Sequence, residues 1–226
     1  MVRHFVRPAL ALVLACSPPK APAARGIDAL SLDDGHLEVP NDGALLGLGH
    51  SPDEIGALLA AAGLPRDPIR LDIHCLLVRT HDRVLLFDTG MGEATLPATG
   101  HLLESLAHAK LAPPMVTDIF ISHAHSDHVG GLVTKDHALA FPNATIHISA
   151  PDWTLLQADS DPDSPRFVRI IAPRVAPFEP GAQLLPEVRA VATPGHTPGH
   201  SSYEISSGAE HLFYLGDLAH HAIISV

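Results

Sequence analysis

At 226 residues, with 46% hydrophobic and 17% charged side chains, the chain is long enough for one sizeable domain and lacks the bias of a disordered or collagen-like polymer. Acidic residues outnumber basic ones 25 to 14, and no Lys/Arg cluster forms a stripe that could track a phosphate backbone, so nucleic acid is not an expected partner. The 17 histidines carry meaning only through their spacing, because scattered surface His is ordinary.

Arg3 and Arg7 precede a short apolar run, Ala9 to Ala15, followed by Cys16 and a Pro/Ala-rich stretch from Ser17 to Ala24. Residues 1–24 are therefore expected to be a signal peptide or a lipoprotein signal with its linker, and residues 25–226 the mature domain. The run is too short to span a membrane as a helix, so no transmembrane helix is expected in the mature chain. Val13-Leu14-Ala15-Cys16 is loosely similar to a bacterial lipoprotein box, whereas Ala21-Pro22-Ala23 offers an ordinary small-residue cleavage site. Export to a periplasm is the expectation, with a lipid anchor at Cys16 as the alternative. The other cysteine, Cys75, lies mid-strand by pattern and reads as a small core residue, so no disulfide framework is expected.

Residues 26 to about 50 are Gly- and Asp-rich and suggest short strands or loops. Ser51-Pro52-Asp53-Glu54 then starts a helix: a capping Ser, Pro at the first helical position and Glu three residues after the cap can satisfy orphan backbone donors. Ile55, Leu58, Leu59 and Ala62 share one helical face, and Gly63 with Pro65 supplies the stop. Leu71 to Arg79 and Arg83 to Phe87 read as strands joined by a polar turn, ending at Asp88-Thr89-Gly90. A helix from about His101 to Lys110 leads to the strand Asp118 to Ser122. Further strands are expected at Thr145 to Ser149, Val188 to Ala192, Ser202 to Ile205 and His211 to Leu215, with a helix near Pro151 to Ala158. The Pro-rich stretch from Asp161 to Pro180 reads as a long surface connection. The fold class is α/β with mixed sheets.

Ser122-His123-Ala124-His125-Ser126-Asp127-His128 comes directly after a buried-looking strand. Side chains two apart on an extended segment point the same way, so His123 and His125 can grip one ion. Asp127 and His128 lie where the chain turns into Val129-Gly130-Gly131, whose glycines allow a tight turn, and can face a second ion. Imidazole and carboxylate together suit zinc, with iron or manganese as alternatives. A lone His-x-His is more often an ordinary surface feature, and only the wider context gives this one weight.

That context is a resemblance to the metallo-β-lactamase superfamily, carried by the His-x-His-x-Asp-His motif, by Thr193-Pro194-Gly195-His196-Thr197-Pro198-Gly199-His200 and by Gly216-Asp217, in that order. Asp88-Thr89-Gly90 is a further agreement. The resemblance implies an αββα sandwich in which His123, His125 and His196 hold one zinc ion, Asp127 and His128 a second, and Asp217 bridges the two. It implies that Asp127 is catalytic, orienting a hydroxide and shuttling a proton to the leaving group of a small-molecule substrate, with no serine nucleophile. Asp88 and His200 are expected to orient ligands from behind or to serve a plain turn or packing role. His220, just past the bridging position, is expected at the pocket rim, and its recruitment as a ligand is the lesser alternative.

The resemblance also implies one more His well beyond the bridging Asp, together with closing strand and helix units. The chain is accordingly expected to be incomplete at its C-terminus, leaving a sheet edge exposed. Asp217 disfavours the β-lactamases that place Cys there. The strand around Arg70 to Leu77 and the Gly216-Asp217-Leu218-Ala219-His220 run most resemble the branch of N-acyl homoserine lactone lactonases and methyl parathion hydrolase. That points to lactone or ester hydrolysis. β-Lactam or phosphotriester hydrolysis, a non-catalytic metal-binding remnant and a mononuclear iron oxygenase stay open as alternatives.

Overall fold

The computed structural model describes residues 27–93 and 96–224. The expected targeting segment, with Cys16, lies outside the described residues; among those described, no helix is long and apolar enough to cross a membrane. In chain order the first half comprises β1 (Asp28–Val39), α1 (Pro52–Ala61), β2 (Ile69–Arg79), β3 (Val84–Phe87), α2 (Leu102–His108), β4 (Asp118–Phe120) and α3 (Ser126–Val129). The second comprises β5 (Thr145–Ser149), α4 (Ala150–Gln157), α5 (Ser164–Ile171), β6 (Val175–Phe178), β7 (Gln183–Leu185), β8 (Val188–Ala192), β9 (Ser201–Ser207) and β10 (Glu210–Tyr214).

Two sheets result. The first runs β1-β2-β3-β4-β5-β6, antiparallel from β1 to β3 and parallel from β3 to β6; the second runs β10-β9-β8-β7 and is antiparallel throughout. The period-2 pleat sorts side chains between layers. In β3, Leu85 and Phe87 face the second sheet and Leu86 faces the helices; in β4, Phe120 faces the second sheet and Ile119 the helices. Between the sheets Phe87 stacks on Phe120 at 4.9 Å and meets Tyr203 edge-on at 5.4 Å, with Val188 and Ile205 completing the layer. On the opposite face Ile119, Ile146 and Ile148 pack against Leu106 of α2, Leu156 of α4 and Ile171 of α5. Each such side chain contributes about 1.5–3 kcal/mol on full burial.

The parallel arrangement brings strand ends to one edge. Phe87 and Phe120 are register partners, so Asp88 leaves β3 beside the segment leaving β4, and the Asp88 N–H donates to the Phe120 carbonyl at 3.0 Å. From the second sheet, the Tyr203 hydroxyl donates to the Ile121 carbonyl at 2.6 Å and the Ser201 N–H to the Ser122 carbonyl at 2.9 Å. The two sheets are thus fastened together where the His-rich loop begins.

Three expectations need correction. Residues 28–39 form one long strand, not short pieces or loops. A bulge between Asp33 and Gly35 breaks its alternation, and it buries Asp34, whose carboxylate accepts from the N–H groups of Met91 at 2.8 Å and Leu102 at 2.9 Å. The Asp161 to Pro180 stretch is not a bare connection: Pro165 sits at a helix-starting position of α5, and Pro177 sits in β6 at the edge of its sheet, where proline costs no ladder bond. In α1 the capping box forms as expected, but the buried face is Ile55, Gly56 and Leu59, while Leu58 is 50% exposed. Cys75 is a buried free thiol in β2, as its pattern suggested.

Candidate metal centre

The chain leaves β4 through Ser122 and His123, and His125 caps α3, its carbonyl accepting from the N–H groups of His128 at 3.0 Å and Val129 at 3.1 Å. The tight packing at Gly130 and Gly131 has a different cause from the expected turn. Gly130 is right-handed (φ −57°), and a Cβ there would strike the Met91 carbonyl, while one on Gly131 would strike the Thr89 carbonyl. The absence of side chains lets this loop lie directly against the Asp88-Thr89-Gly90 segment.

Asp88 is the hub of that contact. Its Oδ1 accepts from the Ser122 N–H at 2.7 Å, and its Oδ2 accepts from Ser122 Oγ at 2.6 Å, His128 Nδ1 at 2.7 Å and Tyr214 Oη at 2.8 Å. It holds φ 59°, a left-handed conformation uncommon outside glycine, and is 1% exposed. Because the Ser122 hydroxyl donates to Asp88, it accepts from His123 Nδ1–H at 3.0 Å. Both buried imidazoles therefore turn Nδ1 toward this anchor and Nε2 toward the cleft.

Three imidazole nitrogens converge there. His123 Nε2 lies 3.0 Å from His125 Nδ1, which lies 2.9 Å from His196 Nε2. Bonds of ~2.0–2.1 Å at tetrahedral angles place donors about 3.3 Å apart, so this spacing fits a zinc-sized cation. Burial, reinforced by neighbouring imidazoles, pulls the His123 pKa far down, and burial lowers that of His196, leaving both neutral as ligation requires. Asp217 faces the tripod with one oxygen and the second donor set with the other. Its Oδ2 is 3.4 Å from His196 Nε2 and 3.8 Å from His123 Nε2; its Oδ1 is 3.3 Å from His128 Nε2. Although burial alone would raise its pKa, bonds from His128 and His220 hold Asp217 firmly ionised.

Donor atoms of His123, His125 and His196, of His123, His128 and Asp217, and of His196, Asp217 and His220 each gather within 4.8 Å. Asp127 stands one step further out, its Oδ2 3.4 Å from His128 Nε2; burial pushes its pKa up, but the bond and charge of His128 with a backbone bond together bring it below the usual value. His220 Nε2 lies 3.3 Å from Asp217 Oδ2, so the rim residue touches the Asp217 carboxylate directly. His200 points both ring nitrogens elsewhere: Nδ1 bonds Thr193 Oγ1 at 2.8 Å and Nε2 accepts the Asp217 N–H at 3.0 Å. It orients Asp217 through the backbone. The donor set, imidazole and carboxylate split between two faces of Asp217, fits two divalent cations of the zinc type; although burial opposes it, Asp88, Asp127 and Asp217 raise the His128 pKa, so that imidazole must give up a proton to ligate.

Sequence reasoning missed two residues. Asp152, fully buried in α4, accepts from the Ala124 N–H at 3.0 Å, Thr197 Oγ1 at 2.8 Å and the Gly199 N–H at 2.7 Å, clamping both His-bearing loops together. Its position in the first turn of an expected helix, after the capping Ser149, disguised it as an ordinary helix-start acid. Tyr214 ends β10 and read only as a strand aromatic. A cleft of ≈ 240 Å³ opens over the site, its floor including Asp88, Asp127, His128, Tyr214 and Asp217 and its wall Leu37, Leu71 and Ile73.

Comparison with known proteins agrees with this geometry. The protein YobT of Bacillus subtilis (strain 168) is 32% identical over 149 residues, 60% of this chain and 58% of that protein. An N-acyl homoserine lactonase of a Bacillus species is 26% identical over 164 residues, 63% of this chain and 62% of that enzyme. The chain thus spans about three fifths of the curated relatives it matches. Among solved structures, AidC, a dizinc quorum-quenching lactonase in complex with a product N-hexanoyl-L-homoserine, superposes with a TM-score of 0.82 at 32% identity, covering 91% of this chain and 76% of AidC. The family model of the metallo-beta-lactamase superfamily matches residues 68–224, which contain every donor described above. By its two sheets, its motif order and this match, the chain belongs to the metallo-beta-lactamase superfamily.

Proposed function

We propose that this protein is a binuclear zinc-type hydrolase of lactones. The observation that carries the reading is the placement of Asp217 between two donor sets, one carboxylate oxygen toward each. His123, His125 and His196 would hold one ion, Asp127 and His128 the other, with Asp217 shared. Bound there, such ions would supply Lewis acidity toward a carbonyl oxygen and would lower the pKa of a bound water toward ~7. Asp127, ionised and facing the cleft, would accept a proton from water as the water oxygen adds to the lactone carbonyl carbon, and would return that proton to the ring oxygen as its bond to that carbon breaks. Leu37, Leu71 and Ile73 offer an apolar wall to an acyl chain and keep bulk water from that side.

The charge of the cleft supports a neutral substrate. Among the described residues lining it there is no Lys or Arg, and its rim residue Asp72 is already paired with Arg70 at 2.7 Å. A β-lactam carries a carboxylate for which the lining side chains offer no Lys or Arg, leaving the bound ions alone to receive it; a lactone or a phosphotriester carries none. Likeness to AidC and the Bacillus lactonases favours the lactone. The test is elemental analysis of the untagged full chain, then turnover of N-acyl homoserine lactones, a phosphotriester and a chromogenic β-lactam. Two zinc ions per chain with lactone ring opening uphold the reading. A chain that binds no metal is a non-catalytic remnant, and iron with oxygen consumption reassigns the chemistry to an oxygenase.

A further inference from the structure

Six of the donors reach the centre from two different sheets. His123, His125, Asp127 and His128 come after β4 of the first, whereas His196 comes after β8 and Asp217 after β10 of the second. An ion held between His128 and Asp217 therefore depends on the registry of one sheet edge against the other. His200 fixes the Asp217 backbone within the second sheet's own loops, at 3.0 Å, and does not reach the first sheet's donors.

Beside the Tyr203–Ile121 and Ser201–Ser122 bonds, a further tie across the gap is Tyr214, which alone among them reaches the Asp88 carboxylate. It pairs with Tyr203 on β9, three residues before Asp217, and its hydroxyl reaches Asp88 Oδ2 at 2.8 Å, with the His74 carbonyl of β2 at 3.3 Å. The same Asp88 oxygen receives His128 Nδ1 at 2.7 Å, and His128 Nε2 faces Asp217 Oδ1 at 3.3 Å and Asp127 Oδ2 at 3.4 Å. A closed circuit results: Tyr214 to Asp88 to His128 to Asp217 and back along three residues of chain. We infer that Tyr214 is a positioning residue for the Asp127–His128–Asp217 donor set, its hydroxyl locking the strand that delivers Asp217 to the carboxylate that orients His128. The tripod depends on it less. His123 is held through Ser122, whose N–H donates to Asp88 Oδ1, the oxygen Tyr214 does not touch, while its hydroxyl shares Oδ2 with Tyr214.

This inference rests on the two-ion reading above and is tested without substrate. Tyr214→Phe keeps the ring, which tilts against Phe87 at 5.7 Å, and removes only the hydroxyl. Metal-free wild type and Y214F, both full chain, are titrated with zinc in competition with a chromophoric chelator, with thermal unfolding of the metal-free proteins in parallel. Groups that orient a metal ligand are each worth about 10–100-fold in affinity, and Tyr214 acts one bond further back. The weaker of two binding phases should fall about tenfold in Y214F, the tighter phase should hold within about twofold, and Asp88→Asn should weaken the same phase more than Y214F does. Unchanged affinity in both phases, or equal weakening of both, overturns the assignment. A wild-type chain that binds fewer than two ions overturns it together with the two-ion reading, whereas two-ion binding without lactone turnover sinks only the substrate.

Discussion

Replacement of Asp152 by Ala probes the preassembled tripod most directly, because this carboxylate touches no proposed ligand yet holds two ligand loops. It is fully buried and accepts from the N–H groups of Ala124 and Gly199 and from the Thr197 hydroxyl at 2.7–3.0 Å. Each buried donor left without a partner costs about 1–3 kcal/mol, and the variant orphans three, one of them half-buried, so a loss of about 3–9 kcal/mol is expected in the metal-free chain. That is a large part of a typical domain stability of about 5–15 kcal/mol. Urea denaturation of the metal-free protein measures this loss, and zinc competition measures its effect on the site. With Gly199 released, His196 no longer stays 2.9 Å from His125 Nδ1, and the tripod's affinity should fall. Asp152→Asn retains one acceptor oxygen and should lose about 1–3 kcal/mol, which guards against a variant too unstable to purify. If D152A lies within about 1 kcal/mol of wild type and binds zinc unchanged, the loops are held by something else and the clamp is refuted.

His123→Ala combined with His125→Ala removes two of three tripod nitrogens and should abolish tight zinc binding and hydrolysis together; turnover by the metal-free double variant would sink the mechanism. Gly216 sits at φ 57° just before Asp217, and a Cβ there would lie 2.7 Å from Ser122 Cβ and 2.9 Å from His200 Nε2. Gly216→Ala should therefore push Asp217 off its place and lower zinc stoichiometry, as elemental analysis would show. Away from the centre, Asp118 lies between Arg83 Nη1 at 2.8 Å and His147 Nε2 at 3.1 Å. Burial pushes its pKa up, but bonds from His147, Thr117 and Arg83 outweigh burial and hold it below the usual carboxylate value. Its contribution to stability is then complete above pH ~4 and lost as pH falls through the lowered folded-state pKa, so the stability gap between wild type and Asp118→Asn should shrink below that pH. A gap that stays constant on acidification contradicts the assignment.

The sequence motifs disclosed donors better than they disclosed supports, and the reason is physical. A metal ligand must be His, Asp, Glu or Cys and must come at spacings a loop or strand can present, so His123, His125 and His196 stand out against a background of Gly and Pro. A supporting carboxylate has no such restriction. Asp152 looks like any acid at a helix start, Asp34 like a loop acid in a Gly-rich stretch, and only three-dimensional burial shows that each is saturated with hydrogen bonds. Strand ends were legible where alternation was clean, as at Val188–Ala192, and were hidden where a bulge at Asp33/Gly35 shifted the pattern or a proline in an edge strand imitated a loop.

The distribution of these supports says which half of the centre is rigid. The tripod nitrogens are backed from both loops: His123 through Ser122 to Asp88, and the His196 loop through Asp152. In the second set Asp88 orients the His128 ring and Thr89 holds its carbonyl, while Asp127 faces the cleft with a quarter of its side chain exposed. On the proposed two-ion reading, the imidazole tripod, whose nitrogens already lie 2.9–3.0 Å apart, should load before the set in which His128 must first give up a proton. On the proposed reading, the more carboxylate-rich face lies toward the cleft, where Asp127 would move a proton during turnover.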